Sequence, residues 1–451
     1  MKILPRLKSF LFSDNKRTAL VHKNILWSFL IKGWSGIVML LSIPITISCL
    51  GEYKNGVWMT IATILLWIDS FDIGLGNGMR NKLATYLAKD EMGKARECVS
   101  TTFFMLILII IPVLIVLLFL AHQIDWYKIL NVSPYRVDDL TGVLTLSFSL
   151  VCMTFVFKFI GNVYMALQLP AINNAMVVGG QTLALLATFI VLATGKQSLF
   201  LIAIANTLMP LLVYLVAYPL TFHRYYPQLA PSLRLFNKNS LHVLFSLGIN
   251  FFILQIASVV LVTMSNVIIS HILSPQMVTH YQIVFRYFSL LTMIFTVIGM
   301  PYWSATTDAY AKGDLEWIKH SMYNIRRIVA LLVVSAVIMI LIAPYVYRLW
   351  IGADITIPAS LNISMAAYFA LIIISTSYSY FLYGFGVLRL QLIFTTAAMI
   401  CFPLIGYILC KEIGTTGIIM ALLITQLPGM ICNMMQYHKI VNRSADGIWI
   451  K

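Results

Sequence analysis

Long apolar stretches, separated by short polar ones, repeat along the whole chain. Each is close to the ~20 residues that an α-helix needs to cross the hydrocarbon core of a bilayer. The pattern predicts about twelve transmembrane helices, at residues 25–49, 56–78, 99–121, 141–165, 174–194, 199–219, 243–271, 281–304, 327–349, 359–383, 388–410 and 415–436. The third is the clearest, because no charge occurs from Phe103 to Ala121. We therefore expect an all-α polytopic membrane protein.

Composition and charge support this expectation. The chain has 451 residues, of which 60% are hydrophobic and 10% charged, whereas soluble proteins average about 25% charged residues. The net charge of +15 could suggest a nucleic-acid partner, but 22 of the 31 Lys and Arg residues fall in alternate, predicted cytoplasmic segments. This is the positive-inside bias, and it predicts that both termini are cytoplasmic. We expect contacts with anionic membrane lipids and no nucleic-acid partner.

A long polar stretch in mid-chain, residues 221–242, separates six predicted helices from six. Each half carries a similar motif after its second helix, Leu87–Glu91 in the first half and Tyr310–Asp314 in the second, at an offset of 223 residues. With an even number of helices per half, both halves have the same orientation, as in parallel transporter repeats with the substrate path between them. The predicted organisation is a basic cytoplasmic segment (1–24), an N-lobe (25–220), a cytoplasmic linker (221–242), a C-lobe (243–438) and a cytoplasmic tail (439–451).

Ionisable residues occur within the predicted membrane helices, where each costs about 2.5–3.5 kcal/mol at a helix centre facing lipid. They are Lys32, Asp69, Asp72, Lys158 and Arg286. This cost favours positions facing a bundle interior or a water-filled cavity. One interpretation is a buried ion pair between Lys32 and Asp69 or Asp72 that fixes helix packing. The other is that the three cations attract an anionic substrate while an acid binds a coupling ion.

Three glycines follow the two acids at alternate positions, Gly74, Gly76 and Gly78. A nucleotide-binding loop is not expected here, because no strand precedes the glycines and no Gly-Lys-Ser/Thr follows. We interpret them as a gate or hinge, where the second helix ends or bends and its backbone approaches a neighbour closely.

Several motifs together resemble Wzx-type flippases of O-antigen and other polysaccharides, and the resemblance extends over essentially the whole chain. They are the sequence FDIGLGNGMRNKLA at 71–84, Leu50-Gly51 with Gly56-Val57-Trp58, and Pro301–Ala305 followed by Asp308–Asp314. This family belongs to a superfamily that includes MATE-type multidrug exporters and lipid II flippases. The resemblance implies two six-helix lobes around a central cationic cavity.

The resemblance also implies a function. The substrate would be an undecaprenyl-diphosphate-linked oligosaccharide, moved from the cytoplasmic to the periplasmic leaflet by alternating access. Arg286, Lys158 and Lys32 would attract the diphosphate, and Arg can bind phosphate oxygens in two-point fashion. No cofactor is expected, and a proton or sodium gradient remains open as the energy source, with Asp69 or Asp72 as the acid. The polysaccharide polymerase machinery is a candidate partner.

Other functions remain open on sequence grounds. A cation-coupled multidrug exporter of the same fold would favour an apolar or acidic pocket for its cationic compounds. A membrane O-antigen polymerase or ligase would need a sizeable outer loop with catalytic groups, and the largest predicted outer loop, 122–140, shows no catalytic constellation. We therefore expect a transporter and not an enzyme. A scaffold would not need five ionisable residues in its membrane helices.

Overall fold

The computed structural model describes residues 16–72, 75–196, 198–237, 249–352 and 355–450. Throughout these residues the secondary structure is helical, with no strand. Within the described part of the chain, eleven helices are long and apolar enough to cross a membrane. The predicted all-α polytopic fold is confirmed.

The helices fall close to the apolar stretches of the sequence. In chain order they are α1 (Lys16–Ser70), α2 (Leu75–Ala88), α3 (Met92–Gln123), α4 (Trp126–Ile129), α5 (Leu140–Phe157), α6 (Phe159–Ala166), α7 (Pro170–Ala193), α8 (Leu199–Pro219), α9 (Ile249–Ile272), α10 (Pro275–Ala311), α11 (Leu315–Trp350), α12 (Ala359–Phe385), α13 (Arg389–Ile413) and α14 (Thr415–Val441). A π-helical turn, Leu220–Tyr225, extends α8.

Helix α1 contains two of the predicted spans. Its 55 residues would extend roughly 80 Å as a straight helix, far more than the ~30 Å of a bilayer core. The helix is interrupted at Gly51, whose φ of 69° and ψ of 167° are not helical. Glycine adopts this conformation without a steric penalty. The two predicted spans therefore meet at Gly51 without a loop, which explains why eleven helices accommodate twelve spans.

The end of the second span differs from the prediction. The sequence pattern placed it at residue 78, followed by a cytoplasmic loop, but α1 ends at Ser70 and a separate helix, α2, begins at Leu75. The start of the first span also differs, because α1 begins at Lys16, inside the predicted basic segment. Residues 1–15 of that segment lie outside the described residues. Hydropathy located the apolar core of each helix, but it did not predict the polar turns by which a helix extends beyond that core.

The chain folds as two compact units. Unit 1 comprises Met1–Gly51, Leu65–Asp125 and Asp138–Ile249, and unit 2 comprises Glu52–Ile64, Trp126–Val137 and Asn250–Lys451. In unit 1, α7 packs against α8 and α3 against α5, while in unit 2, α13 packs against α14 and α10 against α12. The predicted lobe boundaries at 220 and 243 stay a prediction.

The segment predicted as a linker is docked on α3 within unit 1. Arg96 Nε donates a hydrogen bond to the Ala230 carbonyl at 2.9 Å, and the Ser232 N–H donates to Ser100 Oγ at 3.0 Å. Asn237 Nδ2 donates to Glu97 Oε1 at 2.8 Å. Two short 3₁₀ turns, Pro227–Leu229 and Leu233–Leu235, lie along this path. The described part of the segment is therefore held against α3 by hydrogen bonds.

The internal repeat is present in the turns after α2 and α10. In the first turn, the backbone N–H groups of Asp90, Glu91 and Met92 donate to the carbonyls of Leu87, Tyr86 and Asp90, respectively. In the second turn, the N–H groups of residues 313, 314 and 315 donate to the carbonyls of residues 310, 309 and 313. The central residues, Asp90 and Gly313, both have positive φ, 55° and 74°. Each pair is separated by the 223 residues that the motifs predicted.

Candidate functional site

Asp72 lies in the turn between α1 and α2, outside the membrane helix in which the sequence pattern placed it. Its Oδ1 accepts a hydrogen bond from the Gly76 N–H at 2.8 Å. A carboxylate here satisfies an N–H that has no partner within the helix, and it interacts favourably with the helix dipole. Asp69 is in the last turn of α1, and its side chain lies outside the described residues. Its predicted pairing with Lys32 stays a prediction.

The glycines after Asp72 belong to helix α2. A Cβ on Gly76 would overlap Asn162 Nδ2 of α6 and lie 2.9 Å from Asp72 Oδ2. Gly76 therefore permits α2 to approach α6 closely, in agreement with the packing half of the sequence interpretation. Gly78 is buried within α2, and Gly74 lies outside the described residues. The proposed gate or hinge stays a prediction.

Lys32 and Lys158, the two predicted substrate-binding cations of unit 1, differ in solvent exposure. Lys32 is half-buried on α1. Residues close to it form hydrogen bonds between α1 and α7: Trp34 Nε1 donates to Thr182 Oγ1 at 3.1 Å, and Ser35 Oγ donates to Gln181 Oε1 at 2.9 Å. Lys158 is exposed where α5 meets α6, and its N–H donates to the Thr154 carbonyl at 2.8 Å.

Arg286 is in unit 2, on α10. Its Nε is buried and has no hydrogen-bond partner among the residues that the structure describes. Its neighbours in sequence are aromatic, with the Phe285 ring 5.2 Å from that of Phe369 and the Tyr287 ring 5.3 Å from that of Tyr347. A buried N–H without a partner is costly, so Arg286 is a candidate for binding an anion.

Unit 2 also contains a cavity of about 320 Å³ between four helices, α9, α12, α13 and α14. Eleven of its eighteen lining residues have uncharged polar side chains, seven are apolar, and none carries a charge. They are Ser258, Leu261, Val262, Tyr368, Ile372, Ser375, Thr376, Ser379, Tyr383, Gln391, Phe394, Thr395, Ala398, Thr425, Gln426, Gly429, Met430 and Asn433.

Carboxamides and hydroxyls in this cavity form hydrogen-bonded pairs across helices. Gln391 Nε2 donates to Tyr383 Oη at 2.8 Å, and Gln426 Nε2 donates to Tyr368 Oη at 3.3 Å. Asn433 Nδ2 donates to Ser379 Oγ at 3.2 Å. The carbonyl oxygens of Gln391 and Asn433 are buried and have no partner among the described residues. Both oxygens are therefore covered by the surrounding side chains, whereas the N–H groups of the same carboxamides join neighbouring helices.

This cavity was not predicted from the sequence, because its lining residues carry no charge. A signal was available in the spacing, since Ser375, Ser379 and Tyr383 recur every four residues on α12 and so share one face of the helix. On α14, Gln426 and Asn433 are seven residues apart and share a face for the same reason.

A second polar cluster missed by the sequence analysis lies where the Glu52–Ile64 part of α1 meets α10 in unit 2. Glu52 Oε2 accepts hydrogen bonds from Gln276 Nε2 at 2.6 Å and His280 Nε2 at 2.9 Å. Thr279 Oγ1 donates to the Glu52 carbonyl at 2.7 Å. A Cβ on Gly56 would overlap the Pro275 carbonyl. The cluster is therefore a tightly packed junction between two helices.

Comparisons with known proteins identify the fold. No protein-family model matches the chain, and no curated protein matches it. An inward-facing multidrug resistance MATE family transporter of the MOP superfamily superposes with a TM-score of 0.78 at 15% identity, covering 94% of this chain and 100% of the other. A MATE in complex with MaD3S gives 0.67 at 16% identity, covering 94% and 96%.

A further solved structure has the same fold with a different pocket. It is a MOP superfamily transporter from Pyrococcus furiosus, described as having a binding pocket of reverse polarity that suggests a different function. Its TM-score is 0.62 at 16% identity, covering 93% of this chain and 99% of the other. This chain therefore has the fold of MATE transporters and is a multi-pass membrane protein.

Proposed function

We propose that this chain is a transporter that moves its substrate across a bacterial cytoplasmic membrane by alternating access. The likeness to MATE transporters over 94% of the chain supports transport. MOP superfamily structures of this fold are described in both inward-facing and outward-facing conformations. The positive-inside charge bias supports cytoplasmic termini.

The proposed substrate is an undecaprenyl-diphosphate-linked oligosaccharide, moved from the cytoplasmic to the periplasmic leaflet. The observation that carries this proposal is the cavity of unit 2, whose lining combines uncharged polar and apolar side chains and contains no acid. Such a lining suits hydroxyl groups, whereas a cationic drug would favour acidic or apolar surroundings. Arg286, Lys158 and Lys32 would attract the diphosphate, as the resemblance to Wzx-type flippases implies.

A second candidate is a cation-coupled multidrug exporter. The similar solved structures support it better than they support flipping, because one of them is described as a multidrug resistance transporter. In this reading Asp69 or Asp72 binds the coupling proton or sodium ion. Because the Pyrococcus protein has the same fold and a pocket of reverse polarity, the fold alone does not select between the two substrates.

Reconstitution tests flipping directly. Purified protein is placed in liposomes containing a polyprenyl-diphosphate-linked oligosaccharide, and the fraction accessible to an added glycosidase or lectin is followed with time. Flipping predicts exchange between leaflets that protein-free liposomes do not show. A normal rate of drug efflux in the same vesicles, with no exchange of the glycolipid, would contradict the proposal and select the exporter.

Deletion of the gene separates flipping from the polymerase function. Loss of a flippase traps single lipid-linked repeat units on the cytoplasmic leaflet, and loss of a polymerase lets single units reach the cell surface. Drug hypersensitivity with normal surface glycan would again select the exporter. We also propose the polysaccharide polymerase machinery as a partner, which co-purification from the membrane would detect.

A further inference from the structure

Two neighbouring arginines, Arg326 and Arg327, lie on α11 in unit 2, on the side of the membrane that is predicted to be cytoplasmic. Both side chains are exposed. The next twenty residues of the helix, 328–347, carry no charge, so the arginines mark the level where α11 enters the apolar layer. Among the described residues, no carboxylate forms an ion pair with either arginine. Two cations therefore lie at headgroup level without an anion from the protein.

Arg326 contacts side chains of two other helices of unit 2. Its Nη2 donates a hydrogen bond to His438 Nε2 of α14 at 3.0 Å, and its Cζ lies 5.8 Å from the ring centre of Tyr378 on α12. Because a guanidinium only donates, His438 Nε2 is the acceptor and this imidazole is uncharged. The Tyr437 ring packs edge-on against His438, with ring centres 5.5 Å apart. These contacts position Arg326 and leave its charge unpaired by any described acid.

Arg327 contacts a tyrosine of its own helix. Its Nη2 donates to Tyr323 Oη at 2.7 Å, and its Cζ lies 4.3 Å from the centre of the same ring. Tyrosine is common at the membrane–water boundary. A guanidinium has five N–H groups, and each arginine uses one nitrogen in these hydrogen bonds. The exposed remainder of each guanidinium can bind phosphate oxygens in two-point fashion.

Exposed apolar side chains continue from the arginines along two helices. On α11 they recur every three or four residues after Arg327 and therefore share one face of the helix. They are Leu331, Val334, Ile338 and Leu341. A matching face of α14 leads away from His438. It consists of Met435, Ile431, Leu427 and Ile424. The first eleven residues of each face rise roughly 16 Å, about half of the ~30 Å apolar core of a bilayer. Each face therefore spans the depth of one leaflet.

The arginines and the two apolar faces are close to each other within unit 2. Helix α11 packs against α12, and α12 packs against α14. The hydrogen bond from Arg326 to His438 joins the polar ends of the two faces. The arrangement matches a phospholipid, which has a phosphate at the headgroup level and two acyl chains that extend over one leaflet. Basic sites between membrane helices on the cytoplasmic side suit anionic headgroups, whereas the ammonium group of a zwitterionic lipid is repelled by the arginines.

We propose that this surface binds one anionic phospholipid of the cytoplasmic leaflet. Arg326 and Arg327 contact its phosphate, and the exposed apolar faces of α11 and α14 contact its acyl chains. The site is on the outer, lipid-facing side of these helices, so it is separate from the polar cavity of unit 2. The inference does not depend on which substrate the chain transports.

Native mass spectrometry of the full-length protein tests the site. Detergent-purified, delipidated protein is titrated with phosphatidylglycerol and, separately, with phosphatidylcholine of the same acyl chains. We expect one phosphatidylglycerol to be retained at concentrations where phosphatidylcholine is not. Arg326→Gln and Arg327→Gln should each weaken this retention about tenfold, because each removes a charge-assisted hydrogen bond to the phosphate.

The matched control removes two arginines from predicted cytoplasmic segments of unit 1. Arg224 is exposed in the π-helical turn after α8, and Arg234 is exposed in the second 3₁₀ turn on α3. The double variant Arg224→Gln/Arg234→Gln lowers the net charge as much as Arg326→Gln/Arg327→Gln does, and it should bind the lipid like the unaltered protein. Arg326→Gln also removes a contact with α14. Arg327→Gln, whose contact lies within α11, tests the site if the first variant unfolds at a lower temperature.

Four results would overturn the proposal. Equal retention of the two lipids, or equal losses in the two double variants, would show attraction by net charge or by apolar surface alone. Displacement of the lipid by inorganic phosphate at the same concentration would show an anion site that does not need acyl chains. Displacement by an equal concentration of a polyprenyl diphosphate would show that the surface receives the proposed substrate and not a membrane phospholipid.

Discussion

Arg286 brings a charge into the interior of unit 2 with its Nε unpaired among the described residues. A buried N–H without a partner destabilises the folded state, since its lost hydration is not replaced. Such a residue is usually retained because it meets an anion during function. For this chain the candidate anion is the diphosphate of the proposed substrate.

Replacement of Arg286 should therefore slow transport without lowering the stability of the fold. We expect Arg286→Gln to leave the unfolding temperature unchanged or raised, because a buried charge is removed, and to lower the flipping rate at least about tenfold, since a charge-assisted hydrogen bond contributes about 1.5–3 kcal/mol. The measurements are flipping in proteoliposomes and thermal unfolding in detergent. Arg443→Gln, an exposed residue after α14, is the control. Full transport by Arg286→Gln at normal protein levels would contradict the role.

Gly76 is a second position where the addition of one carbon atom should change the stability of the fold. Gly76→Ala should lower the free energy of unfolding by about 1 kcal/mol, the low end of the cost of overpacking, because the new methyl overlaps Asn162 Nδ2 of α6, the end of a side chain that can shift. Thermal unfolding would measure it. Gly93→Ala is the control, since a Cβ there meets nothing within 4 Å and alanine is the better helix former. Equal effects of the two substitutions would contradict the close approach.

At the scale of elements, the Glu52–Ile64 part of α1 is joined to α10 by polar contacts. Glu52 accepts hydrogen bonds from Gln276 and His280, and Asn55 Nδ2 donates to Thr279 Oγ1 at 3.1 Å. His280 and Thr279 are buried, so each polar group needs its partner. The junction therefore depends on specific hydrogen bonds as well as on apolar packing.

Removal of the Glu52 side chain tests this junction. Glu52→Ala should lower the free energy of unfolding by about 1–3 kcal/mol, since two donors lose their acceptor and at least one is buried. Glu316→Ala is the control, because Glu316 is exposed and pairs with Lys319 at 2.8 Å on the surface, where such pairs contribute about 0–1 kcal/mol. If Glu52→Ala and Glu316→Ala unfold at the same temperature, the junction does not need its hydrogen bonds.

For the whole molecule, the charge bias makes a prediction about orientation in the membrane. In a background without native cysteines, Tyr135→Cys should react with a membrane-impermeant maleimide in intact cells, because residue 135 is exposed in a predicted outer loop. Lys312→Cys, in the turn after α10, should react only after the cells are opened. The reverse pattern would contradict the predicted orientation.

The membrane-spanning segments were predictable because hydropathy decides which segments can leave water. Each predicted span has a counterpart among the described helices, and the two motifs at an offset of 223 residues form turns with matching hydrogen bonds. The helix ends were less predictable. A separate helix, α2, crosses the predicted span end at residue 78 because Asp72 caps its first turn, and hydropathy does not report capping.

The amino-acid sequence by itself determined the all-helical membrane fold and supports a predicted orientation, since both depend on the number and spacing of apolar and basic residues. Tertiary structure alone decided where the uncharged polar side chains meet. Ser258, Tyr383, Gln391 and Asn433 come from four helices, α9, α12, α13 and α14, and only their packing makes one cavity. A hydrogen-bonding site depends on distances of about 3 Å, which the order of residues along a chain does not specify.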